Sequence, residues 1–331
     1  MRLDSANRSF LAFMGVALLL GAVVLCGALG GVLVPIVLGR VSRQGLDGLL
    51  SDGGASLAAL LFGVLVVAGL ARGARSLVRQ AIASRRLARR VRRLAVPLPE
   101  KLIAAVRQAG LDGRVICVDA PESFSFVYGV LAPHVAVSRG LLRGVTREEL
   151  HAVLEHERYH VSNLDPLKVV LVQAFSAALF FLPALNSLQA SYAAGRELAA
   201  DRRAVASCGR RCLAGALLKV VGGPAWRELE VATAIGGSEL LDVRVAQLET
   251  GMEPRLQAPS LKHLVLSLLG AASLAATFLA SVYGFGGSAA VRQATGAGLG
   301  SAVLLGGLAC AAPFALVGLG AYLRAAPRAR R

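Results

Sequence analysis

A five-residue segment of the chain has the residue types and the spacing that a zinc site needs: His156-Glu157-Arg158-Tyr159-His160. Histidines four residues apart lie on one face of a helix, so both imidazole rings can bind one ion. Glu157 is rotated about 100° from His156, which lets its carboxylate reach a zinc-bound water rather than the metal. The segment therefore predicts one zinc ion (Zn2+) per chain, with Glu157 as the base that deprotonates the water.

The helix that must carry this segment has a start signal of its own. Thr146 and Glu149 have the spacing of a capping box, in which each side chain accepts a hydrogen bond from the other residue's backbone amide. Apolar residues then recur at helical spacing, at positions 150, 153, 154 and 161. We predict a helix that begins close to Arg147 and holds both histidines on one side.

A catalytic zinc ion normally has three protein ligands, so a third ligand must come from another part of the chain. Few acids follow the motif, and Glu197 is the candidate. Asp201 lies four residues later, on the same helix face, where it can accept the free N–H of a zinc-bound histidine. The alternative for Glu197 and Asp201 is an ordinary solvated pair. Asp165 is either a similar support or the cap of the next helix.

The composition of the chain points to a membrane. Of its 331 residues, 55% are hydrophobic and 17% are charged, and its mean hydropathy is +0.62. Soluble domains usually have about 25% charged residues. Apolar runs that approach the length of a spanning helix therefore predict a multi-pass α-helical membrane protein. These runs lie near residues 10–34, 55–71, 264–285 and 299–323.

Basic residues next to these runs predict the orientation. Residues 72–107 contain eleven basic residues and one acid, Glu100. By the positive-inside rule, the zinc site lies on the cytoplasmic side of the cell membrane. Residues 75–94 form either a juxtamembrane helix on the anionic inner leaflet or a solvated continuation of the second span. Few aromatic residues accompany the arginines, which argues against direct nucleic-acid binding despite a net charge of +16.

The apolar segment 167–195 lies between the two parts of the predicted zinc site. Both parts must meet at one ion, so the segment must cross a membrane an even number of times. Two full crossings need about 40 residues. The twenty-nine residues available therefore predict a re-entrant hairpin that turns near residues 183–186.

These patterns divide the chain into four parts. They are residues 1–72, with two transmembrane helices and a short outside loop; 73–96, a basic juxtamembrane helix; 97–262, a cytoplasmic domain that holds the predicted zinc site and the apolar hairpin; and 263–331, with two further transmembrane helices and a basic tail. Within the third part, short apolar patterns predict strands near residues 114–119, 123–128 and 134–138.

The five cysteines form no even, closely spaced framework, so the sequence implies no disulfide scaffold. Cys208 and Cys212 are one helical turn apart. They are either small packing residues or a redox or metal-binding pair.

Together these motifs resemble the membrane metallopeptidases of bacterial beta-lactam sensor-transducers. The same core is similar to that of the HtpX-like and CAAX prenyl protease group. The resemblance covers about residues 114–248. It rests on His156-Glu157-x-x-His160, Asp165-Pro166-Leu167, Glu197-x-x-x-Asp201, Tyr128-Gly129-Val130 and the segment from Val135 to Leu142.

The resemblance implies a fold and a set of roles. The fold is α+β, with a gluzincin-like cytoplasmic zinc peptidase domain inserted among membrane helices. His156, His160 and Glu197 would bind zinc, Glu157 would be the catalytic base, and Asp201 would support a ligand. A strand beside the active-site helix would pair with an extended substrate. That substrate-binding strand would consist of His134, Val135, Ala136, Val137 and Ser138.

The expected function is that of an integral membrane zinc metalloendopeptidase, whose partners are a protein substrate and the lipid bilayer. The substrate would be a membrane or cytoplasmic protein, such as a transcriptional repressor or a damaged membrane protein. The alternative is a zinc-binding membrane signalling or scaffold protein with little or no proteolysis. The substitution Glu157→Gln separates the two, because a scaffold needs no base.

Overall fold

The computed structural model describes residues 5–27, 55–220, 238–254, 260, 262–263, 265–267 and 270. Within them the chain forms nine helices and four short strands. The helices are α1 (Ser5–Gly27), α2 (Ala55–Arg93), α3 (Glu100–Gln108), α4 (Arg139–Gly144), α5 (Arg147–Ser162), α6 (Asp165–Ala178), α7 (Pro183–Cys208), α8 (Arg210–Val220) and α9 (Ser238–Thr250). The strands are β1 (Ala95–Val96), β2 (Val115–Val118), β3 (Ser125–Tyr128) and β4 (His134–Ser138).

The four strands form one sheet in the order β1-β2-β4-β3. β4 runs parallel to β2 and antiparallel to β3, so Val135 lies opposite Val115 on one side and Val127 on the other. A hydrophobic core joins these strands to α3 and α5 through Leu102 and Leu150, which are both 0% exposed. The three strands predicted from the sequence are confirmed, and α5, which carries the predicted zinc motif, packs directly against the sheet.

The strand order corrects the prediction for the substrate-binding strand. Residues His134–Ser138 form β4, but β2 and β3 pair with its two sides, so it offers no free edge to a substrate. Val135, Ala136, Val137 and Ser138 are all 0% exposed. The prediction is wrong because a pattern of apolar residues identifies a strand but not its neighbours in the sheet.

Helix α5, which carries the predicted zinc motif, begins as the sequence predicts. The Thr146 hydroxyl accepts a hydrogen bond from the Glu149 amide, and the Glu149 carboxylate accepts one from the Thr146 amide. Leu150 and Leu154, one turn apart, are both 0% exposed. The capped start and the buried face fix the rotation of α5, and with it the direction in which the zinc motif points.

The described residues separate into two compact units. The first contains the sheet and α5, with described residues from Met1–Asn7, Ser76–Gln173 and Ala190–Gln257. The second unit includes the first part of α2, up to Arg75, and the end of α6, from Ala174. These two segments lie close together. A Cβ atom at Gly69 would lie 2.5 Å from the carbonyl oxygen of Ala178, so only glycine permits this approach.

The prediction of a multi-pass membrane protein is corrected by the helices. No helix among the described residues is long and apolar enough to cross a membrane. The run at 55–71 lies in α2, and its roughly seventeen residues rise only about 26 Å, less than the roughly 30 Å of a hydrocarbon core. The run at 299–323 lies outside the described residues, and the runs at 10–34 and 264–285 lie partly outside them.

The apolar segment after the catalytic helix forms α6 and the first part of α7. α6 ends at Ala178 and α7 begins at Pro183, so the connection lies just before the residues at which a turn was predicted. Proline suits the first turn of a helix, because the amide it lacks has no helical partner there. Insertion of this segment into a membrane stays a prediction.

Candidate metal centre

Three side chains from two helices meet at one point. α5 supplies His156 and His160, and α7 supplies Glu197. Nε2 of His156 lies 3.1 Å from Nε2 of His160 and 3.4 Å from Oε2 of Glu197. Nε2 of His160 lies 3.8 Å from Oε1 of Glu197. Ligand atoms about 2.1 Å from a tetrahedral zinc ion lie about 3.4 Å apart, so these separations suit one zinc ion.

The opposite ring nitrogens determine the chemistry of this cluster. Nδ1 of His160 lies 2.6 Å from Oδ2 of Asp165. Nδ1 of His156 lies 2.9 Å from Oδ1 of Asp201. Both carboxylates favour a proton on Nδ1, which leaves a lone pair on each Nε2. Two lone pairs and the Glu197 carboxylate repel one another unless a cation lies between them, so the donor set fits a zinc ion.

The connection between α5 and α6 places Asp165 at the site. Leu164 has a φ of 52°, in the left-handed region that a side-chain-bearing residue enters at a cost of roughly 1–2 kcal/mol. The turn lets α6 begin at Asp165, just after α5 has ended, and brings that carboxylate back to His160. Asp165 is 3% exposed. Of its two predicted roles, the contact therefore favours support of His160.

Burial and charge act in opposite directions on the titration of the cluster. Burial lowers the pKa of His156, but Asp201 and Glu197 raise it by more, to about 9. Burial raises the pKa of Glu197, but His160 and Arg196 hold it well below its usual range. Glu197 is therefore ionised at neutral pH, as a metal ligand must be. A metal ion that binds here competes with a proton on His156.

α9 contributes a residue that the sequence reasoning missed. Nε and Nη2 of Arg244 donate to the two carboxylate oxygens of Asp201, each at 2.7 Å. Asp201 is 0% exposed, so this pair balances a charge that would otherwise be buried alone. Arg244 completes a chain of contacts from α9 through Asp201 to His156. The sequence around Arg244, an arginine between two valines, does not indicate which residue it contacts.

A second arginine, Arg196, lies on α7 beside the third ligand. It is 6% exposed, and its Nη2 lies 3.0 Å from Oε1 of Glu197. Nη1 of Arg244 lies 3.7 Å from the other oxygen of Glu197. Both arginines thus hold Glu197 ionised and oriented towards the two histidines.

Glu157 differs from the other acids of the cluster. Glu197, Asp201 and Asp165 each contact a histidine or an arginine. Within the described part of the chain, the Glu157 carboxylate has no hydrogen bond or ion pair. Burial lowers the pKa of Arg244, but Asp201, Glu197 and then Glu157 raise it above its usual value. Glu157 is therefore close enough to Arg244 to influence its charge, and it is 6% exposed.

The cysteine pair has the properties of packing residues. Cys208 and Cys212 are free thiols that pack against the core of the sheet. Burial and then Cys212 raise the pKa of Cys208 to about 11. A thiol that stays protonated is a poor nucleophile and a poor metal ligand, so the packing interpretation is favoured.

Residues 55–248 match the family described as BlaR1 peptidase M56, which is more than half of the chain. The chain belongs to this family. The match to the M56 family includes α5, α7 and α9 up to residue 248, so every residue of the candidate metal centre lies within it, Arg244 included. The family resemblance stated from the sequence is confirmed.

Curated relatives match a shorter part of the chain. "Protease HtpX" of Shewanella denitrificans is 37% identical over 79 residues, which is 23% of this chain and 28% of the relative. "Protease HtpX" of Alkalilimnicola ehrlichii is 40% identical over 70 residues, which is 20% of this chain and 23% of the relative. The chain thus spans about a quarter of the length of these relatives. No solved structure matches it.

Proposed function

We propose that this M56 family member is a zinc-dependent endopeptidase that hydrolyses peptide bonds of a protein substrate. The observation that carries the proposal is Glu157, an acid without a partner among the described residues that directly follows a predicted zinc ligand. A scaffold protein would need three ligands to hold an ion, but it would not need a free base beside them.

The residues of the site have complementary roles in this mechanism. When bound, zinc would act as a Lewis acid that polarises the peptide carbonyl and acidifies water. His156, His160 and Glu197 would hold it. Glu157 would take a proton from the attacking water and deliver it to the nitrogen of the leaving amine.

The supporting acids keep the ligands ready. Asp165 and Asp201 would hold the two histidines in the tautomer whose Nε2 atoms face the metal. Arg244 would hold Asp201 in place as an ionised acceptor. This support would leave Glu157 as the group whose protonation changes during hydrolysis.

For substrate binding we propose the outer edge of β3 in place of β4. No strand among the described residues pairs with this side of Ser125–Tyr128, and α5 packs against the same strand. An extended peptide that pairs with β3 would therefore run beside the catalytic helix. A substrate peptide with a photoreactive side chain should crosslink to β3. A crosslink to β1 alone would contradict the assignment.

The proposed substrate is a membrane or cytoplasmic protein, with a transcriptional repressor and a damaged membrane protein as candidates. The proposed location is the cytoplasmic face of the cell membrane. It is supported by the eleven basic residues within 72–107, because cytoplasmic leaflets are anionic. Comparison of the proteomes of cells with the parent and with Glu157→Gln should show the substrate accumulating in the latter.

The test of the mechanism is hydrolysis of unfolded casein by purified protein, with bound zinc measured in the same samples. Glu157→Gln should lower the hydrolysis rate by about 100- to 10,000-fold, because it removes the base. It should keep its zinc, since Glu157 is not a ligand. Glu100→Gln, an exposed glutamate at the start of α3, is the matched control and should match the parent.

Each outcome decides between the alternatives. Zinc in both proteins with hydrolysis by the parent alone supports the peptidase. Zinc in both with hydrolysis by neither supports the scaffold alternative. Absence of zinc from the parent contradicts the assigned ligands.

A further inference from the structure

A chain of three polar side chains joins the start of α1 to the turn between α5 and α6. Nζ of Lys168, on α6, donates a hydrogen bond to Oδ1 of Asn7 at 2.6 Å. Nδ2 of Asn7 donates to Oδ1 of Asn163 at 3.2 Å, and Nδ2 of Asn163 donates to the carbonyl oxygen of Tyr159 at 2.9 Å. We call Lys168, Asn7 and Asn163 the polar clasp.

Each hydrogen bond of the polar clasp fixes the orientation of the next side chain. A lysine ammonium can only donate, so it turns the amide oxygen of Asn7 towards α6 and leaves the amide nitrogen for α5. That nitrogen needs the amide oxygen of Asn163, whose own nitrogen then donates to a backbone carbonyl, a group that can only accept. Ala6, beside Asn7, is 3% exposed, so packing holds the first turn of α1 in place. Asn7 therefore connects α6 to the end of α5.

The turn that the polar clasp spans needs support from the surrounding structure. Leu164 has a φ of 52°, and a strained backbone persists only where its surroundings impose it. The side chain of Leu164 is 41% exposed, so its own packing supplies little of that support. Asn163 comes directly before Leu164, and Lys168 lies about one helical turn after it. The clasp thus holds both sides of the strained residue.

The same turn brings an acid to the metal centre. α6 begins at Asp165, whose Oδ2 lies 2.6 Å from Nδ1 of His160. Tyr159, whose carbonyl oxygen ends the clasp, comes directly before His160. Neither hydrogen-bond partner of Asn7 is a proposed zinc ligand. We therefore expect any effect of Asn7 on the metal to pass through the turn.

We infer that Asn7 is a positioning residue of the metal centre, which locks the turn between α5 and α6 and thereby holds Asp165 against His160. The zinc affinity of the site then depends on the position of the first turn of α1. The inference rests on the zinc site of the proposed function but not on hydrolysis, because the clasp supports a ligand and not the base Glu157.

Hydrogen exchange of the zinc-free, full-length protein tests the lock without any metal. Asn7→Ala should speed the exchange of the backbone amides of residues 163–168 by about fivefold, because the turn loses two hydrogen bonds that hold it. The amides of β2 and β4 should exchange as they do in the parent, which serves as the folding check. The matched control is Asn186→Ala, which removes an exposed asparagine from the first turn of α7 and should leave the exchange of residues 163–168 unchanged.

Zinc titration against a chelator tests the consequence for the metal centre. Asn7→Ala should weaken zinc binding by about five- to tenfold, at or below the lower end of the effect of losing a residue that contacts a ligand. Asn186→Ala should bind zinc as the parent does. In the double variant Asn7→Ala/Asp165→Asn, loss of Asn7 should add less than about twofold to the effect of Asp165→Asn, since Asn7 acts through Asp165. A role in general stability would instead give two effects that multiply.

The outcomes separate this inference from the proposed function. Unchanged exchange of residues 163–168 in Asn7→Ala would overturn the lock. Faster exchange with unchanged zinc affinity would overturn the role of Asn7 in positioning Asp165, and so would two effects that multiply in the double variant. Absence of zinc from the parent would contradict the proposed zinc ligands and, with them, the effect of Asn7 on the metal.

Discussion

Arginine has opposite roles in the metal centre and on the C-terminal half of α2. There six exposed arginines form what we call the basic face: Arg79, Arg85, Arg86, Arg89, Arg92 and Arg93. Arg196 and Arg244 contact carboxylates at 3.0 and 2.7 Å, whereas the basic face has six exposed arginines without a carboxylate partner among the described residues. A mostly buried pair fixes one geometry and depends on each member. Exposed charges act through their number and are screened by salt. The net charge of +16 therefore combines two different properties.

The largest expected difference in stability between the two regions is that between the separate variants Arg244→Met and Arg86→Met. Loss of Arg244 leaves the Asp201 charge buried without its partner, so the free energy of unfolding should fall by about 3 kcal/mol. Zinc affinity should fall by about 10- to 100-fold, because Asp201 no longer holds His156. Arg86→Met should change the free energy of unfolding by less than about 0.5 kcal/mol.

Urea denaturation and zinc titration against a chelator measure both effects. Arg244→Lys is the finer control, since it keeps the charge but loses one of the two hydrogen bonds. Its free energy of unfolding and its zinc affinity should lie between those of the parent and those of Arg244→Met. Equal destabilisation by Arg244→Met and Arg86→Met would remove the distinction between the two regions.

A smaller effect, on zinc affinity, is expected from Asp165→Asn, which tests whether Asp165 supports His160. The asparagine amide is neutral, so it accepts the Nδ1 proton of His160 less strongly than the charged carboxylate does. Zinc affinity should therefore fall by about 10- to 100-fold. Asp112→Asn changes an exposed aspartate outside the cluster and should leave zinc affinity unchanged. Unchanged zinc affinity in Asp165→Asn would mean that Asp165 only begins α6.

The smallest effect is expected from an ion pair whose exposure lies between that of the buried metal centre and that of the exposed arginines of α2. Nζ of Lys219, whose side chain is 39% exposed, lies 2.6 Å from Glu149. Burial raises the pKa of Glu149, but Lys219 and Thr146 lower it by more, so its pKa in the folded protein is below the ordinary 4.5. The resulting stabilisation is complete above that ordinary value and disappears as pH falls through the lowered pKa.

Glu149→Gln isolates this charge, because glutamine still completes the capping box. The variant should lose less than about 1 kcal/mol of the free energy of unfolding at neutral pH, since solvent screens the pair. Denaturation at a series of pH values should show the parent and the variant converging in acid. A difference that grows as pH falls would contradict the assigned direction of the pKa shift.

Local spacing explains what the sequence could predict. The capping box of Thr146 and Glu149 and the pair His156 and His160 each lie within one turn of a helix, where chain geometry fixes which side chains meet. The motif made Glu197 a candidate third ligand because few acids follow it, and the structure brings Glu197 to the histidines.

Long-range pairing explains what the sequence could not predict. Asp201 and Arg244 are 43 residues apart, and no periodic pattern connects two positions so distant. β4 lies between β2 and β3, an order that the apolar pattern of each strand leaves open. The membrane span predicted from hydropathy at 55–71 was also wrong, because that apolar run is short and its helix continues into a segment rich in arginine.

The contact between Arg244 and Asp201 has a consequence for the order in which the protein matures during synthesis. The ribosome makes α5 and α7 before α9, so all three proposed zinc ligands exist before Arg244, which contacts Asp201. A chain that ends after Gly237 should therefore bind zinc more weakly than the full chain, and equal affinity would disprove this dependence. The contact of Arg244 with Asp201 would therefore be the last part of the metal centre to form during synthesis.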